Sequence, residues 1–347
     1  MQIARRPQEG RTWLIGPAED LLFLANWTWP LVALLFVWLD RSGVMISVKL
    51  SAVYALYLVS TPHRWITLGL VALDKERLTR KGPTLLVVGG LTCLFFFGLW
   101  GWTRDVALLV LIQYVWNLWH IVAQHVGVAR IYAVRAQPEK RSSGTEEKYL
   151  LRLLAFYAFW RVLSLGLADY AAVGFGPGWL ERLSLPTGKY DALLLAVPAA
   201  LLIRAASGFD RRLAGKYWYL ASVCAHYGSM IIFCHFHMTV WALAVTMTNG
   251  LFHAVEYFAV VTWSVRPRAN KEGAWLAAPL FRHWASTLLI FIFSIATLGL
   301  VVTSGHARAW ILVNALVSYL HYAYDGVIWK MPDVVPAPAP RALETPA

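Results

Sequence analysis

Five histidines of this 347-residue chain lie at nearly one depth within apolar segments, and they are the side chains best placed to do chemistry. They are His63, His120, His226, His253 and His321. Each lies 9 to 13 residues from the charged residue at the same end of its segment, which is about 13 to 20 Å along a helix. An intramembrane histidine can simply join two helices by a hydrogen bond. Ionisable groups at membrane depth are costly, however, and five at one level indicate a functional site.

Amide and carboxylate side chains share helical faces with three of these histidines, at about 100° per residue. The stripes are Gln113, Asn117, His120 and Gln124; Asn249, His253 and Glu256; and Asn314, His321 and Asp325. A polar stripe cannot face lipid cheaply, so each is predicted to point into a helical bundle. His125 lies about 140° from His120 on the same helix. It could bind a second metal, support the first, or reach the headgroup region.

Imidazole and carboxylate groups are good ligands for iron, zinc, copper and manganese. The predicted metal ligands are His63, His120, His125, His226, His253 and His321, with Glu256 and Asp325 as carboxylate ligands or proton carriers. The residues predicted to surround the cofactor are Asn117, Gln124, Asn249 and Asn314, which would orient the second ring nitrogens or bind water. We expect mono- or dinuclear non-haem iron with open positions for dioxygen, in preference to zinc or haem.

Ten apolar runs must position these residues, and they are of a length typical of membrane-spanning helices. The runs cover 21–39, 44–73, 83–102, 105–128, 150–173, 190–207, 217–240, 243–265, 283–304 and 308–329. Hydrophobic residues make up 59% of the chain and charged residues 14%, against about 25% charged in soluble domains. The sequence therefore predicts an all-α, polytopic transmembrane bundle of about ten helices. Residues 1–330 would form one domain, followed by a disordered Pro/Ala-rich tail at 331–347.

The basic residues test this map, because Lys and Arg collect on the cytoplasmic side of a membrane. With the N-terminus inside, 23 of the 31 fall in inside segments and 5 in outside loops. This pattern predicts both termini in the cytoplasm, a multi-pass plasma (inner) membrane protein, and a histidine layer nearer the cytoplasmic face. The net charge of +12 then reflects orientation in the membrane, and no nucleic-acid partner is expected. No secretory signal peptide is visible.

Two short elements resemble those of a known family. Thr61-Pro62-His63 supplies a Pro-His element, and His321-Tyr322-Ala323-Tyr324-Asp325 supplies a His-x-x-x-Asp element. Both are similar to elements around the iron of the membrane β-carotene cleavage dioxygenases, which are multi-helix bundles. A more remote analogy links the chain to fatty-acid desaturases and hydroxylases, although their H-x-x-x-H and H-x-x-H-H boxes are absent. The resemblance implies iron and dioxygen chemistry.

We therefore expect a metal-dependent membrane oxidoreductase or oxygenase that acts on an isoprenoid, carotenoid or acyl lipid. Its expected partners are membrane lipids, a lipid-soluble substrate, dioxygen and, for some reactions, an electron-donor protein. Three other functions fit the sequence. The ten runs divide five plus five, with Pro30 and Pro198 in corresponding places, as in transporters with inverted repeats. Paired histidines could hold a b-type haem, and the chain could be a structural subunit of a membrane complex.

Overall fold

The computed structural model describes residues 12–42, 59–104, 106–137, 145–172, 187–271 and 273–329, and these residues are all-helical. Eleven α-helices are present in this part of the chain. They are α1 (Pro17–Glu19), α2 (Trp29–Arg41), α3 (Thr61–Leu73), α4 (Lys75–Thr103), α5 (Val106–Ala136), α6 (Thr145–Ala172), α7 (Asp191–Ser207), α8 (Ala214–His235), α9 (Thr239–Val265), α10 (Ala278–Arg282) and α11 (Trp284–Ile328). The predictions of an all-α fold and of about ten helices are confirmed.

Two of the predicted boundaries between runs coincide with unusual backbone conformations. The predicted hairpin between the seventh and eighth runs turns at His237, whose φ of +52° lies in the left-handed region. The ninth and tenth runs are joined in α11, which departs from helical geometry at His306 (φ −138°, ψ 48°). The predicted separation at 304–308 is therefore a kink and not a loop.

The first predicted run differs from the structure, because the chain breaks between a helical segment at 17–24 and α2. Asn26 adopts a φ of +47°, and the Thr28 hydroxyl donates to its Oδ1 at 2.7 Å. Pro30 then stands in the first turn of α2, where its missing N–H costs nothing. The predicted stretch 44–58 and the predicted tail from 331 lie outside the described residues.

Among the described residues, four helical segments are long and apolar enough to cross a membrane: Pro17–Arg41, Lys75–Thr103, Gly188–Ser207 and Trp284–Val302. Their outer surfaces carry large apolar side chains. Trp102 and Leu86, for example, are 85% and 79% exposed. Apolar surface of this kind is favourable against acyl chains and unfavourable against water. These segments fit association with a membrane.

The remaining helices bring polar side chains into the centre of the bundle. Helix α3 packs along α11, α9 packs against α2 and α8, and α5 contacts α6 and α11. The largest apolar core cluster includes residues of α2, α5, α6, α8 and α9. The predicted site residues thus sit on helices that are packed on several sides.

Asp74 fixes the corner between α3 and α4. Its buried carboxylate caps α4 by accepting from the Arg77 N–H at 3.0 Å, and it receives two nitrogens of Arg268 at 2.8 and 2.9 Å. Burial is the largest single influence on the pKa of Arg268 and would lower it, but the hydrogen bonds and charges of Asp74 and Glu76 together raise that pKa. Since Arg268 follows α9, this contact holds α3 and α9 in register.

Candidate metal centre

Four of the predicted ligands form a closed ring of imidazoles. His63 at the start of α3, His120 of α5, His253 of α9 and His321 of α11 are all buried. Centroids of neighbouring rings are 4.9 Å apart for His63–His253, 4.9 Å for His253–His120, 4.6 Å for His120–His321 and 5.0 Å for His321–His63. Four helices thus each contribute one imidazole to a single cluster. We call this set the four-histidine cluster.

The spacing of ligand atoms in the cluster suits a metal ion. The Nε2 atoms of His120 and His321 are 3.0 Å apart, which is about the separation of two nitrogens at right angles on one ion with bonds of about 2.1 Å. Two three-residue groups, His63/His253/His321 and His120/His321/Asp325, each have ligand atoms within 4.8 Å of one another. His321 belongs to both groups. The two sets are therefore parts of one centre.

The hydrogen bonding of the cluster is incomplete without a ligand. Both ring nitrogens of His63 and both of His253 are buried and have no hydrogen-bond partner among the described residues. Leaving a buried polar atom unpaired costs about 1–3 kcal/mol. Such groups are rare in folded proteins and call for an explanation such as a bound ion. Nitrogens of this kind in contact with two further histidines and a carboxylate fit a metal.

A hydrogen-bond network fixes His321 from the side of its other ring nitrogen. Thr67 Oγ1 is 2.7 Å from His321 Nδ1 and 2.6 Å from the hydroxyl of Tyr257. That hydroxyl donates to Asp325 Oδ1 at 2.9 Å and receives the indole N–H of Trp329 at 3.3 Å. The network leaves Nε2 of His321 facing the cluster. Outer partners of this kind orient metal-binding histidines and tune their basicity.

Asp325 is the carboxylate nearest the four-histidine cluster. Its Oδ2 is 3.7 Å from His120 Nε2, and its Oδ1 is 3.8 Å from His321 Nδ1. Asp325 and His321 are four residues apart on α11, so they share one face. The carboxylate can therefore act as a ligand of a metal bound by the cluster, or accept a proton beside it.

Glu256, the second predicted carboxylate, belongs to a separate buried group. It accepts from the Tyr219 hydroxyl at 2.9 Å, and its Oε2 lies 3.0 Å from His125 Nδ1. The Tyr219 hydroxyl is also 2.8 Å from that nitrogen. His125, Tyr219 and Glu256 thus form a closed triad among α5, α8 and α9. The triad holds two potential metal ligands, and the structure does not join it to the four-histidine cluster.

His226 is not brought into the four-histidine cluster either. Its Nε2 is 3.1 Å from the backbone carbonyl of Val245, to which it donates, and its ring packs against Trp29 and Phe252. Asn249 lies nearby, with its amide 3.5 Å from the hydroxyl of Tyr227. His226 lies at the level of the cluster residues along its helix, but its hydrogen bond to Val245 joins α8 to α9.

The other predicted amides bind residues around the cluster. Asn117 accepts from the Tyr322 hydroxyl at 2.9 Å, and Gln124 donates to the backbone carbonyl of His253 at 3.0 Å. Asn314 accepts from the Trp65 indole at 3.0 Å. Each contact positions a neighbour of a histidine, and none of the three reaches an imidazole nitrogen of the cluster.

Sequence reasoning missed Thr67 and Tyr257, which hold His321 and Asp325. Thr67 is four residues after His63, and Tyr257 is four after His253, so helical spacing places each beside a predicted ligand. That spacing could have found both residues. Tyrosine is abundant in this chain, however, and an intramembrane hydroxyl carries little signal by itself.

A cavity of about 590 Å³ reaches the cluster from one side. His120, Tyr257 and Asp325 line it where it reaches the four-histidine cluster. Its walls carry Trp116, Trp119, Val126, Val260, Tyr322 and Trp329. This volume and this lining, largely apolar with several polar and charged groups, are typical of small-molecule sites.

Comparison with known proteins gives no relative: no family model, curated protein or solved structure matches the chain. The function is therefore argued from the geometry of the site.

Proposed function

We propose that this protein is an integral-membrane, metal-dependent oxidoreductase that uses dioxygen to oxidise a lipid-soluble substrate. The observation that carries the proposal is the set of four buried ring nitrogens, on His63 and His253, that lack partners beside His120, His321 and Asp325. A purely structural cluster would be expected to pair these nitrogens, since leaving them unpaired costs stability.

The proposed metal is non-haem iron, held by the four histidines with Asp325 as a further ligand or proton acceptor. Imidazole and carboxylate ligands suit iron among other transition metals, and iron supplies redox chemistry with dioxygen when bound. The protein's own groups would orient His321 through Thr67, hold Asp325 through Tyr257, and exclude bulk water from the buried centre.

Access to the centre supports a lipid-soluble substrate. The cavity beside His120 has aromatic and aliphatic walls, and the exposed faces of the apolar helices fit a bilayer. A substrate dissolved in the membrane could enter without crossing water. We further propose the ten-span arrangement in the plasma (inner) membrane, with both termini and the nearer end of the site on the cytoplasmic side, on the basis of the distribution of Lys and Arg.

The proposed class includes two reaction types, which differ in whether they need an external reductant. Cleavage of a carbon–carbon double bond places both oxygen atoms of O₂ in two carbonyl products, so it needs no reductant. Hydroxylation or desaturation consumes two additional electrons and two protons, which an electron-donor protein would supply. The resemblance of the Pro-His and His-x-x-x-Asp elements to those of β-carotene cleavage dioxygenases favours the first type.

The geometry gives less support to the other functions. The first apolar run is broken at Asn26, but Pro198 lies inside the continuous helix α7, so the two halves do not match as inverted repeats with broken helices would. The four imidazoles touch one another in a closed ring, with centroids 4.6–5.0 Å apart. No slot for a porphyrin lies between neighbouring rings.

The test is metal analysis of protein purified in mild detergent, combined with an optical spectrum and dioxygen uptake. We expect one or two irons per chain, no Soret band, and dioxygen consumption on addition of a long-chain polyene or acyl lipid. Uptake without added reductant would indicate double-bond cleavage. The absence of any stoichiometric metal after expression in iron-replete medium would overturn the proposal.

A further inference from the structure

Three basic side chains line the cavity that reaches the four-histidine cluster. Arg130 near the end of α5 and Lys148 and Arg152 in the first two turns of α6 line it, together with the apolar walls and His120. Arg130 is exposed, whereas Lys148 and Arg152 are partly buried. Three cations on two neighbouring helices therefore line the same cavity.

These cations are available to a ligand. None of the three forms an ion pair with a carboxylate in the part of the chain that the structure describes. The nearby Glu146 and Glu147 pair instead with Arg204 and Lys216. The guanidinium of Arg152 lies 4.2 Å from the ring centre of Trp119, another residue of the cavity wall. This stacking holds the Arg152 cation against the cavity wall, beside the residue that precedes His120.

The distance between the exposed Arg130 and the buried His120 sets the length of a ligand. Arg130 and His120 are ten residues apart on the same helix, which places them about 15 Å apart along its axis. Apolar side chains such as Val126 and Val128 line the space between. A molecule that spans the cavity therefore needs an anionic end, then a long apolar section, with its reacting carbon well away from the head.

We infer that the site takes a single-chain amphiphile with an anionic head, a carboxylate or a phosphate, whose chain lies along the cavity toward His120 and Asp325. This inference rests on the proposed function and narrows its substrate class. Neutral hydrocarbons such as carotenes fill the apolar section but leave the three cations without a counter-charge. Arginine and lysine both bind carboxylate and phosphate groups. The three cations therefore favour an anionic head group and do not distinguish between these two.

The test is equilibrium binding to the full-length protein, carried out on metal-free and on metal-loaded samples. The probes are tritiated oleate, oleyl phosphate and methyl oleate, with dioleoyl phosphatidylglycerol as a competitor. We expect the two anionic probes to bind about 10-fold or more tightly than the neutral ester, as expected for the loss of one charged hydrogen bond. The ratio of oleate to oleyl phosphate affinity identifies the preferred head group.

Two variants test whether the probes bind in this cavity, and a third serves as a control. Lys148→Gln combined with Arg152→Gln should remove the preference for anionic probes, whereas Arg266→Gln, which changes an exposed cation outside the cavity, should leave it intact. Gly127→Phe should weaken all three probes, because a Cβ at this cavity-lining position meets nothing within 4 Å and a larger side chain enters free space.

Equal affinity for oleate and methyl oleate in the wild type would overturn the inference. Equally strong competition by the two-chain phosphatidylglycerol, unaffected by Gly127→Phe, would also overturn it, since the cations would then bind bilayer headgroups only. Because binding is measured without metal as well, a failure of the proposed metalloenzyme function shows in the metal analysis and leaves the binding result interpretable.

Discussion

His120 of α5 and His321 of α11 place their Nε2 atoms 3.0 Å apart in a fully buried environment. Thr67 and Asp325 lie near the other ring nitrogen of His321, so its Nε2 presents a lone pair when Nδ1 carries the proton. Two arrangements satisfy this contact: a hydrogen bond donated by His120, or a metal shared by both nitrogens. The unpaired nitrogens of His63 and His253 beside this pair favour the shared metal.

The first prediction separates ligand histidines from other buried histidines. His253→Ala should abolish stoichiometric iron, because it removes a ring with two unpaired nitrogens from the cluster. His226→Ala is the matched control, since His226 is equally buried but donates to the Val245 carbonyl. Metal content by elemental analysis of folded, monodisperse protein is the measurement. Equal iron in the two variants would remove His253 from the ligand set.

The second prediction concerns the hydroxyl that holds His321. Thr67→Val keeps the shape of the side chain and removes the contacts to His321 Nδ1 and the Tyr257 hydroxyl. We expect metal affinity to fall by about 10- to 100-fold, measured by competition with a chelator. Thr92→Val is the control, because the Thr92 hydroxyl bonds only to the carbonyl of Val88 in its own helix. An unchanged affinity in Thr67→Val would show that the orientation of His321 does not depend on this network.

The third prediction concerns a buried ion pair away from the site. Asp191 receives Arg161 Nε and a terminal nitrogen at 2.8 and 3.0 Å, and also the Tyr157 hydroxyl at 2.7 Å. Asp191→Asn should lower the free energy of unfolding by about 3–5 kcal/mol, because it leaves a buried guanidinium without its counter-charge.

Thermal unfolding in detergent measures this loss, and Glu146→Gln is the comparison. Glu146 pairs with Arg204 where both side chains are about two-thirds exposed (71% and 67%), so its substitution should leave the melting temperature nearly unchanged. Iron content should be the same in both variants. A large loss of iron in Asp191→Asn at temperatures where the protein is folded would contradict the separation of this pair from the metal centre.

The fourth prediction tests a close backbone contact. A Cβ at Gly215 would lie 2.5 Å from the Thr12 carbonyl oxygen and 2.7 Å from the ring of Tyr132. Gly215→Ala should therefore lower the melting temperature by displacing the segment around Thr12 from the start of α8. Gly69→Ala has open space around the new methyl group and should raise stability by about 0.5–1 kcal/mol, as expected for Gly→Ala within a helix. A rise in both variants would show that the contact at Gly215 relaxes freely.

The sequence predicted the helices, and it predicted which histidines lie at a common level along them, because both depend on position along one helix. Apolar run length marks the helices, and residue spacing gives axial depth and face. Four of the six predicted histidine ligands meet in the structure for this reason. The sequence could not distinguish His226 from His253, because their difference lies in the rotation of α8 and α9 relative to their neighbours. That rotation depends on packing between helices, which no single segment encodes.

The break at Asn26 and the separation of Glu256 from Asp325 were missed for related reasons. The run 21–39 is mostly apolar, and its length outweighed the turn signal of Asn26, a residue type that tolerates a left-handed backbone. Glu256 is three residues from His253 and shares its face by helical phase. A three-residue step still leaves about 60° between two side chains, which is enough for His253 to meet His63 while Glu256 meets Tyr219.

The four-histidine cluster draws its members from widely separated parts of the chain, with His63 on α3 and His321 on α11. A ribosome therefore completes three of the four ligand helices well before the fourth exists. A metal bound as proposed could not be fully coordinated during insertion of the early helices, and its loading would be the closing event of biogenesis. Iron content would then report complete assembly, and a chain that stops short of α11 would reach the membrane as an empty precursor.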